Sequence, residues 1–147
     1  LAVFQRFSSP PGTLGWTISH LMNEPVLVIV DNDRNFAAQA ANLARSWGFA
    51  THIAHSVAES QQFACMPRDL SLVDTDLPDG SGFDVLEKFE LDDYGKIVFV
   101  TGEPTVESAA RAVSMPVSDY LTKPFSEDEL AEAITRHLVG GSSPTAA

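Results

Sequence analysis

Three hydrophobic runs each end in a polar residue of a particular kind. Val26-Leu27-Val28-Ile29-Val30 meets Asp31, Leu70-Ser71-Leu72-Val73 meets Asp74, and Ile97-Val98-Phe99-Val100 meets Thr101. A continuous Val/Ile/Leu run bounded by turn residues predicts a strand buried on both faces, hence a parallel sheet under helices. In such sheets ligands bind beyond the carboxyl ends of the strands. Two carboxylates and a hydroxyl delivered to one edge therefore predict a polar site, and Lys123-Pro124 after a fourth run adds a cation.

Between the runs the periodicity becomes helical. Residues 34–47 place Phe36, Ala40, Leu43, Ala44 and Trp47 on one face, so Phe36 and Trp47 are expected in the core, and Gly48 stops the helix. Ala50 to Ala54 reads as a short strand. Ser56 is expected to cap a helix to about Ala64, with Glu59 in the capping-box position. Residues 83–90 give a short helix burying Phe83, Leu86 and Phe89, and Gly80-Ser81-Gly82 reads as a flexible lead into it. Residues 105–114 predict a helix of small apolar residues (Ala109, Ala110, Ala112, Val113) stopped by Pro116. Asp119 to Leu121 is a brief fifth strand. Ser126 caps a last helix through Leu130, Ile134 and Leu138, with Glu129 completing its box. Five β-α units in succession predict one α/β domain, a doubly wound sheet with helices on both faces.

A length of 147 residues suits one such domain. The net charge of −11 argues against non-specific binding to nucleic acid or an anionic membrane. Cys65 is the single cysteine, which excludes an internal disulfide and permits a reducing compartment. The four histidines are scattered, so zinc is not expected, and His52, His55 and His137 read as surface or packing residues. No run approaches the roughly 20 apolar residues of a membrane helix. Residues 1–24 lack the basic and apolar regions of a signal peptide. They contain Pro10-Pro11-Gly12 and show no period, and they are expected to be a flexible extension. Met22 is a candidate natural start, with earlier residues from a cloning vector. The tail 140–147, Gly140-Gly141-Ser142-Ser143-Pro144 and beyond, has linker composition and is expected to lead to a further domain.

The first β-α loop reads Asp31-Asn32-Asp33, acidic where a nucleotide-binding fold carries glycines, so it would repel a phosphate rather than cradle it. With Asp74, three carboxylates come near one sheet edge. Like charges this close raise one another's pKa unless something neutralises them. A hard divalent cation does so, and Mg²⁺ needs only one or two carboxylates with waters and substrate phosphate. The competing reading is that Asp31 and Asp33 only cap the first helix. Asp74-Thr75-Asp76 with Asp79-Gly80 is not an EF-hand, since Pro78 occupies a ligand position and Val85 replaces the bidentate Glu.

Four motifs in order carry a resemblance over residues 25–139. They are Val30-Asp31-Asn32-Asp33; Val73-Asp74 with Pro78 and Gly80-Ser81-Gly82 after it; Val100-Thr101-Gly102; and Asp119-Tyr120-Leu121-Thr122-Lys123-Pro124-Phe125. The chain resembles the receiver domain of two-component response regulators. That resemblance implies a flavodoxin-like fold, a five-stranded parallel sheet flanked by five helices with strand order 2-1-3-4-5. It implies that Asp74 accepts a phosphoryl group from a sensor histidine kinase or phosphotransfer protein. Mg²⁺ would be held by Asp31, Asn32, Asp74 and the backbone carbonyl of Asp76, with Asp33 as an alternative ligand. Thr101 and Lys123 would bind the phosphoryl oxygens, Thr101 and Tyr120 would act as the switch, and the Lys123-Pro124 peptide would be cis. The signal would alter the surface of the fourth helix, fifth strand and fifth helix, through which the domain would meet a second copy or an output domain. A cytoplasmic location, no enzymatic role beyond self-phosphorylation and dephosphorylation, and no nucleic acid or membrane bound by the domain itself are likewise implied.

Two positions depart from the family pattern. Asn32 stands where a second acid is usual, bringing an oxygen without a charge, and Pro116 stands where Gly is more common. Two rival readings remain open at this point. A haloacid-dehalogenase-type phosphatase would use Asp31 as nucleophile with Thr101 and Lys123, although its second acidic pair is represented only by Asp92-Asp93 in a loop. A degenerate receiver would act through protein contacts alone.

Overall fold

The computed structural model describes residues 24–89, 95–114 and 117–138. The readings of the head to residue 23, the tail from residue 139, Pro116 and Asp92-Asp93 lie outside the described residues. The three hydrophobic runs form β1 (Val26–Val30), β3 (Leu70–Asp74) and β4 (Lys96–Thr101), buried along their lengths except at Lys96. β2 (Ala50–Ala54) and β5 (Asp119–Thr122) are only partly covered, as edge strands are. These five strands pair only in parallel, in the order β2-β1-β3-β4-β5. The expected order 2-1-3-4-5 is thus observed.

Side chains alternate across the sheet, so each run feeds two cores. Val26, Val28, Val30, Val73 and Phe99 face one layer; Leu27, Ile29, Leu72, Val98 and Val100 face the other. The second layer is α1 (Arg34–Ser46) and α5 (Glu127–Leu138), supplying Ala37, Ala40, Ala41, Ala44, Leu130 and Ile134. The first is α2 (Val57–Ser60), α3 (Gly82–Lys88) and α4 (Val106–Val113), supplying Val57, Phe83, Val85, Leu86 and Ala112.

Four local readings change. The buried face of α1 is a row of alanines, which brings the helix close to the sheet; Phe36 is half-buried at its rim. Trp47 is 41% exposed, because it is the C-cap residue where the chain already turns away. Gly48, at φ +97°, makes that turn, with Gly48 N–H bonded to the Arg45 carbonyl and Phe49 N–H to the Ala44 carbonyl. Ser56 does cap α2, accepting from Glu59 N–H at 3.0 Å. However, the Glu59 carboxylate takes His55 N–H rather than Ser56 N–H, and the helix gives way to a 3₁₀ turn over Gln61–Phe63.

The fourth change lies at Gly80-Ser81-Gly82, which is structured rather than flexible. Gly80–Ser81 pairs antiparallel with Asp76–Leu77, and Ser81 forms a reciprocal capping box with Asp84. A Cβ on Gly82 would stand 2.6 Å from the Asp74 carbonyl oxygen, so only glycine lets α3 start this close to the end of β3.

Candidate functional site

The register places the ends of β1, β3 and β4 side by side: Val30 lies opposite Val73, and Asp74 opposite Val100. The next residue at each end is polar and buried, with Asp31 1%, Asp74 5% and Thr101 0% exposed. All three use one device. Asp31 Oδ1 accepts from Asp33 N–H at 2.8 Å, Asp74 Oδ1 from Asp76 N–H at 2.9 Å, and Thr101 Oγ1 from Glu103 N–H at 3.1 Å. Asp and Thr side chains bonding the backbone two residues on shape the turn out of the strand. Each carboxylate is thereby oriented by one oxygen, leaving the other for chemistry.

Those other oxygens share one cation. Lys123 Nζ is 2.8 Å from Asp31 Oδ2 and 3.5 Å from Asp74 Oδ2. Lys123 reaches them because β5 pairs with β4 and Lys123 N–H donates to the Thr101 carbonyl at 2.7 Å. The Lys123-Pro124 peptide is cis. Asp31 Oδ2 is buried with the ammonium as its ion partner and no directed hydrogen bond.

Burial is the main influence on Asp74, pushing its carboxyl up from 3.8 to about 6; the neighbouring Asp31 adds to this, while Asp76 N–H and Lys123 oppose it. Lys123 is held above its ordinary value: burial lowers it, but Asp31, Asp74 and Asp33 outweigh that. A buried acid pair with one shared ammonium is short of positive charge.

Asp31, Asp74, Thr101 and Lys123 are therefore brought together as expected. Asn32 and Asp33 are exposed at the mouth. Asp33 is engaged as the N-cap of α1, its Oδ1 accepting from Phe36 N–H at 3.0 Å. The capping reading is thus right for Asp33 and wrong for Asp31, whose Oδ1 accepts from Asp33 N–H in the turn before the helix. Tyr120 is half-buried, its hydroxyl bonded to Ser108 Oγ of α4 at 2.7 Å.

A few partners escaped the sequence reading. His55 is not isolated: its Nδ1 lies 2.8 Å from the Asp31 carbonyl oxygen. Asp79 caps α2 from a distance, accepting from Val57 and Ala58 N–H at 2.8 and 2.9 Å. These pairs are 24 and about 22 residues apart, beyond any local motif. Phe36 sits under Lys123, with Nζ 4.4 Å from the ring centroid.

Among the described residues no three carboxylates, imidazoles or thiolates converge as a metal cage. Mg²⁺ needs no such cage; one or two carboxylates, carbonyl oxygen and water suffice. The charge-deficient pair and the Asp31 Oδ2 atom fit a hard cation on that basis.

Comparison with known proteins agrees with this geometry. A family model described as the response regulator receiver domain matches residues 27–135. The chain is 36% identical over 110 residues to the acid tolerance regulatory protein ActR of Rhizobium meliloti, covering 74% of this chain and 57% of that protein. It is equally 36% identical to the photosynthetic apparatus regulatory protein RegA of Cereibacter sphaeroides, covering 74% and 60%. The chain thus spans less than two thirds of those relatives. Among solved structures, a CheY-like receiver domain protein from Methanospirillum hungatei superposes with a TM-score of 0.76 at 24% identity, covering 81% of this chain and 97% of that one. A Burkholderia pseudomallei response regulator with a phosphorylated aspartic acid, calcium ion and citrate gives 0.66 at 23%, covering 78% and 66%. At such identities these two structures speak to the fold alone.

Proposed function

The chain belongs to the response regulator receiver domain family and is a phosphoacceptor signalling domain of a two-component system, and from that premise we propose that Asp74 is the residue phosphorylated. One observation supports this above others: Asp74 and Asp31 are buried together at adjacent strand ends and share the Lys123 ammonium. The phosphatase and degenerate readings are not favoured. Asp31, the nucleophile of the phosphatase reading, is the more enclosed acid and the nearer to Lys123.

In the proposed step an Asp74 carboxylate oxygen attacks the phosphorus of a phosphohistidine on a sensor kinase or phosphotransfer protein. An O–P bond forms, the P–N bond breaks, and the imidazole leaves with a proton from solvent. Asp74 Oδ1 is already held by Asp76 N–H, which leaves Oδ2 to attack. Lys123 moves its ammonium from the carboxylate to the new phosphoryl oxygens, and Thr101 Oγ1 offers its proton to another. Asp31, Asn32, Asp74 and the Asp76 carbonyl would hold Mg²⁺, whose chemistry is to mask phosphoryl charge. Asp33, engaged as a cap, contributes field rather than a bond. The acyl phosphate is labile, which suits self-catalysed dephosphorylation and a reversible signal.

Output is a change of conformation rather than of chemistry. Thr101, drawn toward the phosphoryl group, vacates space that Tyr120 enters, and the α4–β5–α5 surface changes for a second copy or an output domain. The receiver lies within residues 27–135, which the family model matches. Among the described residues no helix is long and apolar enough to cross a membrane. The cytoplasmic setting is proposed from the receiver family alone.

Intact-mass analysis with Mg²⁺ and acetyl phosphate or phosphoramidate tests the assignment. The wild type gains one phosphoryl group and Asp74→Asn gains none. Unchanged labelling of Asp74→Asn with loss in Asp31→Asn would return the phosphatase reading, and an unlabelled wild type the degenerate one.

A further inference from the structure

A lysine ammonium on a four-carbon stem is a mobile point charge, and its location is set by what surrounds it. Around Lys123 Nζ stand two carboxylates, at 2.8 and 3.5 Å, and a third group of a different kind, the face of Phe36 at 4.4 Å. Phe36 is not a loose neighbour. Its N–H is bonded to the Asp33 cap at 3.0 Å, which fixes it in the first turn of α1. Its ring is braced edge-on by Phe125, with centroids 5.4 Å apart and planes at 85°. Phe125 in turn follows the Lys123-Pro124 pair directly. The ring that faces the ammonium is thus anchored at both ends by residues adjoining the site.

We propose that Phe36 is a positioning residue for phosphotransfer, its ring face seating the Lys123 ammonium between Asp31 and Asp74. The inference rests on the phosphoacceptor reading above and deepens it. Both carboxylates pull on the ammonium, which stands 2.8 Å from Asp31 and 3.5 Å from Asp74 with the ring face as its third neighbour. An aromatic face attracts a cation through its quadrupole and adds no charge. It therefore holds Nζ in place without cancelling the positive charge that phosphoryl oxygens need, as a third acid would. When Asp74 gains a phosphoryl group, the ammonium can swing to it without leaving the ring. A leucine would fill the same rim beside Phe125 and Leu43, but would exert no such pull.

The test separates attraction from packing. Asp74 labelling rates with phosphoramidate and Mg²⁺ are measured for the wild-type chain, for Phe36→Leu, for Phe36→Trp, and for chains carrying mono-, di- and trifluorinated phenylalanine at position 36. Urea midpoints are taken for each. Fluorination drains the ring face while nearly keeping its shape. Rates are expected to fall stepwise along the fluorinated series and in Phe36→Leu by about two- to thirtyfold, the cation–π range of about 0.5–2 kcal/mol converted at 1.36 kcal/mol per decade. Phe36→Trp retains the rate. A flat fluorinated series overturns the proposal even if Phe36→Leu is slow or fails to fold, because packing alone would explain that. An unlabelled wild type instead overturns the phosphoacceptor reading and takes this inference with it.

Discussion

Asp74 is buried beside a second acid and reaches only part of one cation, so its ionisation works against the fold. Its carboxyl titrates near 6 in the folded chain and near 3.8 when unfolded. Between those values the folded state binds more protons, so stability falls as pH rises through the window, and the full penalty stands above it. At about 1.4 kcal/mol per pH unit the penalty reaches about 3 kcal/mol. Asp74→Asn should therefore be more stable than the wild type by up to about 3 kcal/mol at pH 8, with the gain shrinking toward zero near pH 4. Urea titrations of both proteins at the two pH values check this. An equal gain at both would mean that the side-chain change and not the charge is responsible. Mg²⁺ should narrow the gap at pH 8, because it stabilises the charged form only in the wild type.

At the scale of the element, strand ends and the helix caps at Ser56 and Ser126 were legible, and the way helices meet their neighbours was not. Asp31, Asp74 and Thr101 announce themselves because buried strands are written as unbroken apolar runs, and the first polar residue after each marks the edge where chemistry collects. Trp47 and Gly80-Ser81-Gly82 were misread because their settings come from tertiary contact: where α1 leaves the sheet, and how closely α3 approaches β3. Gly82 tests that second contact. At an ordinary helix start Gly→Ala gains up to about 1 kcal/mol from propensity. Here the new Cβ would meet the Asp74 carbonyl oxygen, Phe99 and Val73 at 2.6, 3.1 and 3.1 Å. Backbone cannot yield as a side-chain tip does, so Gly82→Ala should lose about 1–3 kcal/mol and slow Asp74 labelling by displacing the nucleophile. A gain in urea midpoint with unchanged labelling would show that α3 can lift from β3 without consequence.

Across the molecule, the two helical layers are held unequally, and the looser part is where the signal should go. α1 buries four alanines against the sheet, whereas α4 buries only Ala112 and leaves Val106 and Val113 89% and 85% exposed. It leans on an edge strand and is tied there by Ser108 to Tyr120, with Arg111 stacked on Phe83 at 4.2 Å. Segments with few buried apolar contacts open at low free energy, and such segments are what a small perturbation shifts. On the proposal above, phosphorylation of Asp74 would supply one at the adjoining strand end: Thr101 Oγ1, now bonded by Glu103 N–H, would turn to the phosphoryl group, and Tyr120, moving inward, would release Ser108. Neither change touches the alanine face of α1. Hydrogen exchange on phosphorylated and unphosphorylated samples should therefore differ most over residues 101–114 and 117–125, with α4 changing more than α1. Ser108→Ala should reproduce part of the α4 change without phosphate, since it removes the same tie. If the differences stay within the Asp31 and Asp74 loops, the site is a phosphoacceptor whose output does not run through Thr101 and Tyr120.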